Sequence, residues 1–156
     1  MGMDRVGAKQ VATLETKSGY ETFEHGADIG IRGYGESLEE AFSNAAMAMF
    51  SIMVSDLNSI RPERSVEIQC ESFDLTGLLV AYLNQLLAES DINGLVFCRF
   101  SPQIDAERFV IGDAPKGGPI PHGGEALGVE VKGATFTLAD VRKEGDRFYA
   151  QCVVDV

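Results

Sequence analysis

Two short stretches of the sequence hold residue types that can do chemistry. FEHGADIGIRGYGESLEEAF, residues 23–42, sets His25 and Asp28 three residues apart in a glycine-bearing bend ahead of an alternating run. VVDV, the last four residues, puts Asp155 beside the α-carboxylate of Val156. Chain ends usually fray. QCVVDV nevertheless reads as a strand that runs to the final residue, which would fix that residue's own carboxylate in space. If this strand lies beside the one that follows the bend, Asp28 converges on Asp155 and Val156. Carboxylates held together repel one another unless a proton or a divalent cation intervenes. Hard oxygen donors of this kind suit Mg²⁺, Ca²⁺ or Mn²⁺. The bland alternative makes Asp28 a turn cap and Asp155 a solvated edge residue.

Other chemistry finds less support in the residues. His25 or His122 could serve as a general base, but there is no GxSxG and no local Cys–His signature. The stretch APKGGPIPHGGEALG, residues 114–128, lacks GK[ST] and leads into no helix, so it is not a P-loop. It reads as a long surface loop or flap. Cys70, Cys98 and Cys152 lie far apart, each in a strand-like run, with no CxxC. They read as buried, reduced thiols in a cytosolic protein.

The elements that must position these residues follow from periodicity. Tyr20–Phe23 and Ile29–Tyr34 read as strands. Ser37-Leu-Glu-Glu40 is a capping box. Leu38, Ala41, Phe42, Ala45, Ala46, Met49, Phe50 and Met53 then keep helical spacing, predicting a helix from Leu38 to about Val54. Arg61-Pro62 stops any continuation. Arg64–Ser72 alternates as a strand. Asp74 can cap a second helix with the stripe Leu75, Leu78, Leu79, Tyr82, Leu83, Leu86 and Leu87, and Asp91–Gly94 reads as a turn. Leu95–Ile104 and Phe109–Asp113 form the arms of a predicted hairpin. Val129–Phe136 and Arg147–Val156 are the last predicted strands. Residues 1–17 show no period and are expected to be a disordered or frayed leader, with a single domain over 18–156. The expected class is α+β, two helices packed on a mostly antiparallel sheet.

Bulk properties narrow the partners. The 156 residues carry a net charge of −11. Such a surface repels phosphate backbones, so direct strong nucleic-acid binding is not expected, and a basic partner or a cation is favoured. No apolar run approaches the ~20 residues that span a bilayer, and the N-terminus has no secretory core. A cytoplasmic, membrane-free protein is expected.

HGADIGI, SLEEAFSNAA, DLTGLLVAYLNQLL, GLVF, EVKGATF and the terminal VVDV occur in this order over about residues 20–156. Together they resemble the archease family, protein cofactors of the RtcB-type RNA ligase. That family usually reads H-T-A-D where this chain has His25-Gly26-Ala27-Asp28, and Tyr82 replaces its usual Trp. The resemblance implies a fold containing a strand-helix-strand-strand unit. It implies a divalent metal ion (Ca, Mg or Mn) held by Asp28, Asp155 and the carboxylate of Val156, with His25 supporting the bend. It also implies an activator and not an enzyme: a protein that promotes guanylylation and multiple turnover of the ligase in tRNA splicing or RNA repair, the GTP belonging to the ligase. A metal-independent chaperone or protein-binding module, or a metal-dependent phosphoester hydrolase, are the alternatives. Many relatives carry imidazoles near Thr135-Phe136-Thr137 and just before the EVK run. Here the first is absent, and His122 lies eight residues before Glu130 in a longer glycine-rich segment.

Overall fold

The computed structural model describes residues 13–17, 19–124 and 126–156. Strands β1 (Thr13–Lys17), β2 (Tyr20–His25) and β3 (Asp28–Gly35) lead into helix α1 (Leu38–Met53). β4 (Arg64–Ser65) and β5 (Ile68–Glu71) precede helix α2 (Leu75–Asn93). Then come β6 (Leu95–Arg99), β7 (Gln103–Asp105), β8 (Val110–Asp113), β9 (Lys116–Pro119), β10 (Gly133–Ala134), β11 (Asp140–Glu144) and β12 (Arg147–Asp155). The main sheet runs β1-β2-β3-β12-β10, with β11 also paired to β12. Two three-stranded sheets, β4-β9-β6 and β5-β8-β7, complete the fold. Every pairing among the described strands is antiparallel, so the α+β class holds.

α1 starts where its capping residues place it. Ser37 Oγ accepts from the Glu40 N–H at 3.1 Å, while Glu40 Oε1 accepts from the Glu36 N–H at 2.6 Å, one residue earlier than the usual reciprocal bond. Its stripe of Ala41, Phe42, Ala45, Ala46, Met49 and Phe50 is fully buried against β3 and β12. The approach is close because β3 offers Gly33: a Cβ there would lie 2.3 Å from both Ala41 O and Ala45 N. α2 is capped by Asp74, whose Oδ1 accepts from the Gly77 N–H at 2.6 Å. It buries Leu78, Leu79, Tyr82, Leu83 and Leu86. One core therefore joins both helices to the inner faces of β3 and β12.

Several local expectations change. The turn expected at Asp91–Gly94 is helix as far as Asn93, and Gly94 (φ 66°) is its left-handed cap. The expected 64–72 strand is two short pieces, and the 129–136 strand shrinks to two residues. β7 and β8 form a hairpin as expected, but β6 leaves it to pair with β9. The 114–128 segment is not wholly a loop. Lys116–Pro119 is a central strand between β4 and β6, with Gly117 and Gly118 buried where backbones meet closely. Of the expected leader, residues 1–12 lie outside the described residues, while Thr13–Lys17 pair along β2.

Cys70 and Cys98 are half-buried and Cys152 is buried, all three unbridged. No helix among the described residues is long and apolar enough to cross a membrane.

Candidate metal centre

β2 and β3 are joined by the two-residue loop Gly26-Ala27, with His25 paired to Asp28 across it. Gly26 has φ 59° while Ala27 keeps a negative φ, the pattern of a type II′ turn, which asks for glycine first. The bend is therefore tight, and it delivers Asp28 to the first position of β3.

β12 meets β3 antiparallel, ending with Val154 opposite Ile29. One further step of that register sets Asp155 opposite Asp28. The chain end is held there: the Val156 N–H donates to Asp28 Oδ1 at 3.2 Å, linking residues 128 apart in sequence. Val156 is half-buried and packs against the core, Asp28 is half-buried, and Asp155 is exposed. On the other flank of β12, the Lys132 N–H donates to the Asp155 carbonyl at 2.8 Å, and Gly133 pairs with Asp155.

The structure thus brings Asp28 and Val156 into direct contact and sets Asp155 beside them on the same rim. His25 stands half-buried across the bend from Asp28. His122 is exposed in the segment between β9 and β10 and belongs to no part of this bend. Among the described residues, no three His, Cys, Asp or Glu side chains are grouped to hold a metal. Asp28 and Asp155 bring two side-chain carboxylates to this rim, oxygen donors of the kind hard divalent cations take. Their donor chemistry suits such an ion.

Other ionisable groups are tied up elsewhere. Asp113, buried, accepts from the Tyr82 hydroxyl at 2.6 Å and from the Ser101 N–H at 3.0 Å. Burial pushes its carboxyl up from the usual range, and those two donors oppose the rise. Burial pushes the Cys152 thiol up to about 12, so it is no nucleophile.

Sequence reasoning missed two residues at this rim, Lys132 and Asn84. Asn84, on α2, donates from Nδ2 to the Ala134 carbonyl at 3.0 Å and accepts the Ala134 N–H on Oδ1 at 2.9 Å. Asn84 closes the stretch GLLVAYLN, part of a block that carries the family resemblance, but nothing in that block says what its amide holds.

The archease protein family (MTH1598/TM1083) matches residues 20–156. An archease of Pyrococcus furiosus is 36% identical over 140 residues, covering 88% of this chain and 98% of that protein. One from Sulfurisphaera tokodaii is 32% identical over 137 residues, with the same coverage of 88% and 98%. The solution structure of protein 1598 of Methanobacterium thermoautotrophicum superposes with a TM-score of 0.73 at 29% identity, covering 90% of this chain and 100% of that one. The crystal structure of a Thermotoga maritima archease, described as a possible chaperone, shares the fold with a TM-score of 0.57 at 19% identity, covering 85% and 94%.

Proposed function

The chain belongs to the archease family, and from that premise we propose that it is a metal-binding protein cofactor that activates an RtcB-type RNA ligase. The observation that carries this reading is the hydrogen bond from the Val156 N–H to Asp28. It ties the last residue to an acidic side chain from the start of the sheet, on a rim that also holds Asp155.

Asp28, Asp155 and the Val156 carboxylate would hold the ion, and His25 would steady the bend. A divalent cation there would offset the repulsion among these carboxylates and present positive charge to the phosphates of the ligase's nucleotide. This chain's own share of the work is placement. The type II′ turn aims Asp28, β12 brings up the terminus, and the Val156 N–H fixes their distance. The net charge of −11 suits docking on a basic ligase face more than on RNA. GTP and the nucleotidyl chemistry belong to the ligase.

A second reading, a chaperone-like module that needs no metal, draws on the same bond. The Val156 N–H donates directly to Asp28 Oδ1, a bond that by itself shapes a docking rim. The Thermotoga maritima archease is described as a possible chaperone, which is in keeping with this reading.

GMP attachment to the cognate ligase, measured with the protein limiting, separates the two. Stimulation should be lost with Asp28→Ala while the variant still binds the ligase. Equal stimulation by wild type and variant would remove the metal site from the mechanism and leave the chaperone reading.

A further inference from the structure

β10 is the outer strand of the main sheet at the end where Asp155 and Val156 sit. It is only two residues long, Gly133 and Ala134, too short to hold its place by pairing alone. Yet Gly133 pairs with Asp155, Ala134 pairs with Val154, and Lys132 donates to the Asp155 carbonyl. The flank of the candidate centre therefore depends on a strand that needs outside support.

That support comes from α2. Ala134 turns its N–H and C=O away from β12, and both meet the side-chain amide of Asn84, at 2.9 and 3.0 Å. The amide presents one acceptor and one donor, just as the backbone of a further strand would. Asn84 is itself exposed and has water as an alternative partner. Both of its polar ends nevertheless close on a single backbone residue. Immediately beyond, the Thr135 N–H and Oγ1 both donate to the Val153 carbonyl, at 3.0 and 2.8 Å, so the segment is held from both sides.

We propose that Asn84 is a positioning residue for the candidate centre: its amide closes the open edge of β10 and thereby fixes Asp155 and Val156 against Asp28. The inference rests on the metal reading only for its purpose; the clamp itself is a mechanical claim with its own readout. Asn84 touches no proposed ligand and acts through Ala134, Gly133 and Lys132. The segment it holds also walls a cavity of about 600 Å³ that Asn84, Val129, Val131 and Lys132 help line, so loosening it has room to spread.

Amide hydrogen exchange on the metal-free full-length chain tests this. Asn84→Ala should speed exchange at Lys132 and Val156 about tenfold or more, with Phe42 and Leu79 unchanged. Asn84→Asp keeps the acceptor but sets a carboxylate oxygen against the Ala134 carbonyl. It should speed the same amides with little change in side-chain volume, and it decides the matter if the alanine variant folds poorly. Unchanged Val156 exchange in both variants overturns the proposal. So does a uniform rise across the core, which would mark Asn84 as a general packing residue. A Mn²⁺ titration on the same samples should show affinity about tenfold weaker in the variants. If the wild type takes up no Mn²⁺, the metal reading fails and exchange alone decides the clamp.

Discussion

β3 and β12 each serve two regions of this molecule, and the two are built on opposite terms. Along their middles, Ile31, Gly33, Ala150 and Cys152 lie sealed beneath α1, with Phe42 and Met49 fully buried above them. At their ends, Asp28, Asp155 and Val156 sit at a half-open rim, where the Val156 N–H donates to Asp28 at 3.2 Å. The middle stores the free energy of folding, because apolar burial dominates it. The rim stores little and offers charge instead. Placing both on the same strands lets the rigid part set the coordinates of the charged rim without sharing residues with it.

The largest expected effect breaks the middle and spares the rim. Leu79→Ala or Phe42→Ala should lower folding stability by about 2–5 kcal/mol through the cavity left behind. Cation affinity of the molecules still folded should stay unchanged, as denaturant titration and calorimetry on the same samples would show. If affinity falls in step with stability, the two regions are not separable.

A smaller effect lies at the boundary of the core. Tyr82→Phe removes the hydroxyl that donates to buried Asp113, at a cost of about 1–3 kcal/mol near neutral pH. The sign with pH follows from burial raising that carboxyl. A carboxyl whose folded pKa lies above its unfolded one favours folding below the unfolded value and loses that contribution as pH rises through the folded one. Loss of the hydroxyl raises it further. The variant's deficit should therefore shrink as pH falls toward about 4 and grow above that range, measured by denaturant unfolding at both ends. A deficit independent of pH would mean that Asp113 keeps its proton throughout.

The smallest stability effect belongs to the rim. Asp28→Ala should change the apo-protein by no more than about 1 kcal/mol, since one half-exposed hydrogen bond is lost and repulsion with Asp155 is relieved. Removal of Val156 should act similarly, and either change should abolish Mn²⁺ or Ca²⁺ uptake in a titration. A large drop in apo melting temperature for Asp28→Ala would recast Asp28 as a structural cap.

The division also explains what could be read in advance. Both helices, their caps at Ser37 and Asp74, and the bend at His25–Asp28 depend on residues close in sequence, and all are found as read. β9 does not show in the sequence, because KGGP centres on two glycines that carry no period. Its place is fixed by Arg64, Val96 and Phe97, which are distant in the chain. Whether β6 pairs with β7 or β9 is likewise a choice among partners that local pattern does not encode. At the rim, Asp28 and Asp155 stood out by type and position. Asn84 did not, since its use appears only once β10 lies beside α2.

β12 sits in the interior of the main sheet, yet it occupies residues 147–155, at the far end of the sequence. A ribosome has made β3 more than a hundred residues before its neighbour emerges. Until then one whole margin of β3 lacks a backbone partner, and α1 has only part of the surface it finally covers. The nascent chain therefore carries an open, pairing-prone strand outside the ribosome until β12 emerges. Messages cut short before residue 147 would yield products unable to close, which cellular proteases are well placed to remove.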